Sequence, residues 1–341
     1  DTASVYAQWE QDKSSDLQWL FGGRYSRISA DTGTVDSNMA MMNPNVSNLR
    51  DAFNTAQRSK LFDLLDVVGR ISLPSNESSV WTLSAGVKEQ APIYQQLYTW
   101  FPLGISAGMA DGRNYLGNLD LSKETAFKVD VSAEFTGLGW RLAPSVYWSQ
   151  IDNYIMGMPS DNMSANMVAQ MNNIAPPLIW SNEDAQIAGF DVTYQYAFSD
   201  NWSLDITGQY VIGKQTGIIN QDLYRLAPLS GDVTLSWQQE HGSNSYGFIL
   251  HTELAAAQNN VAELQNETST SGYGVVRLNG YYQFNSGLKI QLVATNIFDK
   301  TYAPHLAGVN RVTAAQLAVG DKVLSAGRTV GLNINYQFAI D

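Results

Sequence analysis

The ten residues Thr329-Val330-Gly331-Leu332-Asn333-Ile334-Asn335-Tyr336-Gln337-Phe338 decide the fold class. Polar and apolar side chains alternate through them without an error, so Val330, Leu332, Ile334, Tyr336 and Phe338 share one face of a strand. The period returns upstream. In Ala126 to Phe135, the residues Phe127, Val129, Val131, Ala133 and Phe135 oppose Lys128, Asp130, Ser132 and Glu134. In Gly189 to Phe198, Phe190, Val192, Tyr194 and Tyr196 oppose Asp191, Thr193 and Gln195. In Trp202 to Tyr210, Trp202, Leu204, Ile206 and Tyr210 oppose Ser203, Asp205, Thr207 and Gln209. Nearly every strand charge falls on the polar face.

About thirteen such strands of roughly ten residues or more can be counted, near the length that crosses a bilayer at a tilt. Short turns such as Thr136 to Gly139, Ser199 to Asn201 and Asn285 to Gly287 join one end of each pair. Long segments lie at the other end: Ser29 to Lys60, Ala91 to Leu121, Gly157 to Asp184, Ala255 to Ser271 and Thr301 to Ala326. The expected fold is all-β, an antiparallel transmembrane β-barrel with short periplasmic turns and long extracellular loops. Trp9, Trp140, Trp148, Phe198, Trp202, Trp237, Phe284 and Phe338 fall near strand ends, where interfacial girdles form. A soluble sandwich or propeller would need a second layer over the greasy faces, and no facing strands supply one.

Composition agrees. Charged residues make up 15% of 341 residues, where soluble proteins carry about 25%, and no apolar run approaches the roughly 18 residues of a membrane helix. A net charge of -12 makes nucleic acid an unsuitable partner. The absence of Cys excludes disulfide scaffolds, Cys-based zinc sites and thiol nucleophiles. Asp1-Thr2-Ala3-Ser4-Val5 shows no signal peptide, and counting strands back from a periplasmic C-terminus leaves an odd number. At least one further strand is therefore expected upstream of Asp1.

Six elements carry a family resemblance. Val87-Lys88-Glu89-Gln90-Ala91-Pro92-Ile93-Tyr94-Gln95-Gln96-Leu97-Tyr98 is followed by Tyr115-Leu116-Gly117-Asn118-Leu119-Asp120-Leu121-Ser122-Lys123-Glu124-Thr125. Then come Tyr154-Ile155, Ala188-Gly189-Phe190-Asp191, Leu226-Ala227-Pro228-Leu229 and Asn296-Ile297-Phe298-Asp299-Lys300-Thr301-Tyr302, before Gly327-Arg328 and the last strand. In this order they resemble the barrel of TonB-dependent outer-membrane receptors. Gln90 and Gln96 depart from the family's usual Arg and Glu, Leu119 replaces a Pro, and Ala339-Ile340-Asp341 extend past the usual terminal Phe. The resemblance implies a barrel of about 22 strands, of which residues 1–341 would be the C-terminal portion, around an N-terminal plug carrying the TonB box. Neither plug nor TonB box is legible in residues 1–341. It also implies a Gram-negative outer-membrane location, contact with lipid and lipopolysaccharide, coupling to TonB through the plug, and folding by the barrel-assembly machinery. Tyr336 and Phe338 would be the assembly signal, and removal of Ala339 to Asp341 is expected to be tolerated.

The cargo is to be read from methionine. Met39, Met41 and Met42 lie in one long segment, Met109 in the next, and Met156, Met158, Met163, Met167 and Met171 in a third. Soft, uncharged thioethers suit Cu(I). Met39, Met41, Met42, Met158, Met163, Met167, Met171 and His305 are the candidate metal ligands; no resident cofactor is expected. Asn296 to Leu306 resembles the copper-receptor branch of the family, in which Tyr-Ala-x-His-Leu follows Phe-Asp-Lys. Two alternatives stay open. The four-residue spacing of Met163, Met167 and Met171 would also suit a loop helix that turns them inward as packing, and the cargo would also suit a chelate such as a siderophore. His305 in a loop is the kind of residue that is usually hydrogen-bonded or solvated. His251, on a polar strand face near Glu253, is the only base considered for a rival outer-membrane hydrolase; His241 sits in a turn, and Glu183-Asp184 reads as loop charge. A passive porin is the remaining rival, and no enzyme activity is expected.

Overall fold

The computed structural model describes residues 1–11, 17–102, 111–217, 219–313 and 316–338. Among the described residues, thirteen strands follow one another in a single antiparallel meander. They are β1 (Thr2–Glu10), β2 (Gln18–Ala30), β3 (Lys60–Asn76), β4 (Ser79–Gln90), β6 (Glu124–Gly137), β7 (Trp140–Pro159), β8 (Leu178–Ala197), β9 (Trp202–Thr216), β10 (Ser230–His241), β11 (Asn244–Ala255), β12 (Tyr273–Gln283), β13 (Leu288–Thr295) and β14 (Thr329–Tyr336). A two-residue strand, β5 (Tyr115–Leu116), lies off this path and pairs in parallel with β8. Every strand of the path pairs with its chain neighbour, as the alternation of short turns and long loops requires.

Alternation sets the register. Val131 pairs with Leu83 on β4 and Val146 on β7, and Ser132 with Thr82 and Ser145, so one of these neighbouring rows across the wall is apolar and the other polar. Val330, Leu332, Ile334 and Tyr336 are all exposed on one face of β14. A sheet that leaves such rows uncovered is built for lipid, not water. The last ladder pair is Leu288 with Tyr336; Gln337 N–H adds one bond to Gly287 O at 3.1 Å, and Phe338 lies beyond with its ring against that of Tyr336 at 4.7 Å. Gly287 has φ +84° and a Cβ there would sit 2.5 Å from Gln337 O, so the turn before β13 needs glycine. Ala339 to Asp341 lie outside the described residues.

The wall is interrupted in several places, among them register shifts between Pro74 and Asn76 and between Ile151 and Tyr154. The β6–β7 ladder skips Ala143 and Pro144, as expected of a residue without an N–H. The β3–β4 ladder stops at Val67 and Val87 on the long-loop side. Carboxylates take over there: Glu89 accepts from Leu65 N–H at 2.7 Å and from Lys123 Nζ at 2.5 Å, and Asp66 accepts from Glu89 N–H at 2.9 Å.

The long loops are structured. They carry α1 (Pro44–Thr55), α2 (Tyr94–Tyr98) and α3 (Met163–Met171), and they hold most of the buried core. Strands β7 and β8 also continue into the expected loop Gly157 to Asp184, leaving 160–177 between them, so Glu183 and Asp184 are strand residues. The connection 217–229 is a further long-side loop that the alternation did not separate.

Candidate functional site

The loop core is where distant segments meet. Asn43 caps α1, accepting from Asn45 N–H at 2.9 Å, and Pro44 occupies its first turn. Val46, Leu49 and Phe53 then fall on one buried face. Asn162 caps α3, accepting from Ala165 N–H at 3.0 Å. Val46 and Leu49 pack with Ala40, Phe101, Leu116, Ala165 and Val168 in one cluster; Phe53 joins Leu97, Tyr98, Leu121 and Ile155 in the next. Burying each Leu or Phe contributes roughly 1.5–3 kcal/mol, which compensates for ordering the loops.

Helix α3 places its methionines outward. Ala165, Val168 and Ala169 are fully buried, whereas Met163, Met167 and Met171 are 79%, 43% and 62% exposed. Within residues 1–341, small residues of α3 fill the core and these three side chains lie outside it, which speaks against the packing alternative. Met41 and Met42 are 86% and 84% exposed, Met39 less so, in a 3-10 turn just before α1. The two segments adjoin, because α1 packs on α3: Asn43 Nδ2 donates to Met171 Sδ at 3.5 Å and Asn48 Nδ2 to Ser164 Oγ at 3.4 Å. Met158 is elsewhere. It packs beside buried Met156, Ala185 and Leu223, with its sulfur 3.6 Å from Gln265 Nε2. Met109 lies outside the described residues.

His305 is buried, and both ring nitrogens are engaged, Nδ1 with Thr270 Oγ1 at 3.0 Å and Nε2 with Glu267 Oε1 at 3.1 Å. That arrangement matches a structural histidine more closely than a metal ligand, since neither nitrogen is free as the side chains stand. On the wall, His251 meets Thr234 Oγ1 at 3.0 Å and Asp232 Oδ1 at 3.3 Å on β10, while Glu253 accepts from Tyr273 OH at 2.7 Å. His241 is exposed at a strand end. Among the described residues, no three His, Asp or Glu side chains are grouped to hold a metal.

A second feature escaped the sequence because only Tyr115 of its three residues falls in one of the elements that carry the family resemblance. Buried Asp111 accepts from Tyr115 OH at 2.6 Å and Tyr224 OH at 3.1 Å. Burial, then the hydrogen bond to Asp111, pushes the Tyr115 phenol well above its ordinary range. Tyr115 stacks on Trp180 at 4.6 Å, and Trp180 pairs with Gly157, where a Cβ would meet the Tyr115 ring at 2.6 Å.

The fold and the loop cap together define a class of outer-membrane receptor barrel. The family model of the TonB-dependent receptor-like β-barrel matches residues 1–297, and the chain belongs to that family. Its place is the outer membrane of a Gram-negative bacterium. Among solved structures it is similar to the copper transporter OprC, with TM-score 0.76 and 21% identity over 99% of this chain and 48% of that one. It is also similar to the FrpB iron transporter of Neisseria meningitidis, with TM-score 0.66 and 14% identity over 99% and 45%. The ferric yersiniabactin uptake receptor FyuA of Yersinia pestis gives TM-score 0.65 and 12% identity over 99% and 46%. The chain thus spans less than half the length of these structures. No curated protein matches it.

Proposed function

We propose that this barrel belongs to a TonB-dependent transporter that takes up a metal, with copper as its cargo, captured first by methionine thioethers on the loop cap. Coupling to TonB through an upstream plug, assembly by the barrel-assembly machinery and contact with lipopolysaccharide are parts of the same proposal. One observation carries the cargo reading: Met163, Met167 and Met171 leave the core to smaller residues and stand exposed, beside Met41 and Met42 from a loop far away in sequence. Exposing unbranched apolar side chains wastes burial, so a fold that does it repeatedly on one surface is using the sulfur. Thioethers bind Cu(I) and few other biological metals. The likeness to a copper transporter at 21% identity agrees with this reading without carrying it. Replacing Met163, Met167 and Met171 together by Leu keeps volume and removes the donors. Cu(I) affinity of the detergent-purified receptor is expected to fall about tenfold or more, with the melting temperature unchanged. Retained Cu(I) affinity would transfer the proposal to a ferric chelate as cargo.

A further inference from the structure

Five long loops, remote from one another in sequence, enclose a cavity of about 510 Å³ beyond the methionine surface. That volume lies in the range of sites for organic molecules, well above what a bare ion needs. Its charges are unevenly used. The carboxylates Asp111 and Glu267 are consumed within the protein: Asp111 takes two tyrosine hydroxyls and Arg113 N–H, and Glu267 takes the backbone N–H groups of Arg225 and Ala262, each at 2.9 Å, besides facing His305. Asp321 is exposed at the rim.

Of the four cations that line the cavity, Arg113, Arg225 and Lys322, beside Arg311, are spent differently. Arg113 donates to Gln265 O at 2.6 Å and Pro176 O at 3.4 Å, Arg225 to Leu306 O at 2.6 Å, and Lys322 Nζ to His305 O at 2.6 Å. Carbonyl oxygens orient these groups but bring no negative charge. Arg113 Nε is buried and has no hydrogen-bond partner among the described residues. Burial, then the neighbouring Arg225 charge, lowers the Lys322 ammonium from its ordinary value, while the Glu267 charge acts the other way. Arg225 itself is held at φ +60°, a left-handed conformation that non-glycine residues rarely adopt and that is kept where the surroundings impose it.

We infer that this cavity binds an organic molecule bearing two or more carboxylate groups, set against Arg113, Arg225 and Lys322. Guanidinium forks match planar carboxylates, and three cations on three different loops call for several oxyanions on one molecule. The inference stands apart from copper: it uses hard oxygen chemistry in a cavity, and none of the exposed methionines.

Metal-free citrate is the probe, titrated calorimetrically into the purified full-length receptor at low salt. Binding is expected, weakening as salt is raised. Lys322→Gln, which can still donate to His305 O, is expected to lower citrate affinity about tenfold or more, as is Arg113→Gln. Arg113 also ties two loops together, so if that variant misfolds, Lys322→Gln decides alone. Inorganic phosphate is expected to bind at least about tenfold more weakly than citrate, because it reaches fewer of the cations at once. The Leu variant of Met163, Met167 and Met171 is expected to bind citrate unchanged, which separates this inference from the copper reading. Absence of citrate binding, equal affinity in a folded Lys322→Gln variant, or phosphate binding as tight as citrate would overturn it.

Discussion

The wall and the cap of this molecule use apolar side chains in opposite ways. In the wall, Val131, Val146, Leu83 and the β14 row face outward and uncovered, and the strands are held by ladder hydrogen bonds with lipid as the second layer. In the cap, Val46, Leu97 and Val168 are sealed between helices and loops, as in a water-soluble domain. An exposed apolar residue therefore means different things in the two regions. On the wall it is the fold itself; on the cap, where burial was available to Val168 and refused to Met167, it points to use.

The sharpest way to break this contrast is at the end of the wall. Phe338→Asp is expected to abolish outer-membrane accumulation, measured by fractionation and immunoblot, because it puts a charge beside Tyr336 at the strand proposed as the assembly signal. Normal levels would remove that role.

Next comes the cap core. Leu97→Ala, at a side chain almost wholly buried among Phe53, Tyr98 and Leu121, is expected to cost about 2–5 kcal/mol of cap stability. Limited proteolysis of the loops reads this directly, with the wall protected. On the wall, Val131→Arg is expected to cost about 2–4 kcal/mol in a folding assay in lipid, and Thr207→Arg, on the polar face beside Asp232, far less. Equal costs on both faces would dissolve the distinction between lipid and lumen.

The smallest effects belong to the exposed surface of the cap. Met167→Leu is expected to change stability by less than about 1.5 kcal/mol. The Arg50 guanidinium holds the neighbouring Asp51 carboxyl below its usual range. The sign follows: any stabilisation from this pair is present above the unfolded-state pKa and is lost as pH falls through the folded-state value. Both groups are open to solvent, so acidification is expected to shift the cap's melting temperature little, and Asp51→Asn is expected to remove whatever shift is seen.

Much of the wall was legible because its rule is local. A period of two places Phe127, Val129 and Val131 on one face wherever the strand ends up, and alternating turn lengths order the meander before any contact is known. The family resemblance rested on the same local signals. Where the backbone lost a donor, as at Pro144, the interruption too was written in the chain, although its position in the ladder needed the partner strand.

The cap was legible only as a set of loops. The spacing of Met163, Met167 and Met171 correctly suited a helix, but spacing is blind to which face turns inward; the neighbours Val46 and Leu49 settled that, and they come from a segment over a hundred residues earlier. His305 could not be sorted into ligand or structural residue until Thr270 and Glu267 met its two nitrogens. Nor could any linear pattern announce the cavity around Arg113, Arg225 and Lys322, whose parts are single residues on separate loops. Alternation along a strand is a property of neighbours in the chain, so the sequence alone determined the wall; convergence of side chains across loops is a property of neighbours in space, and only the tertiary structure decided it.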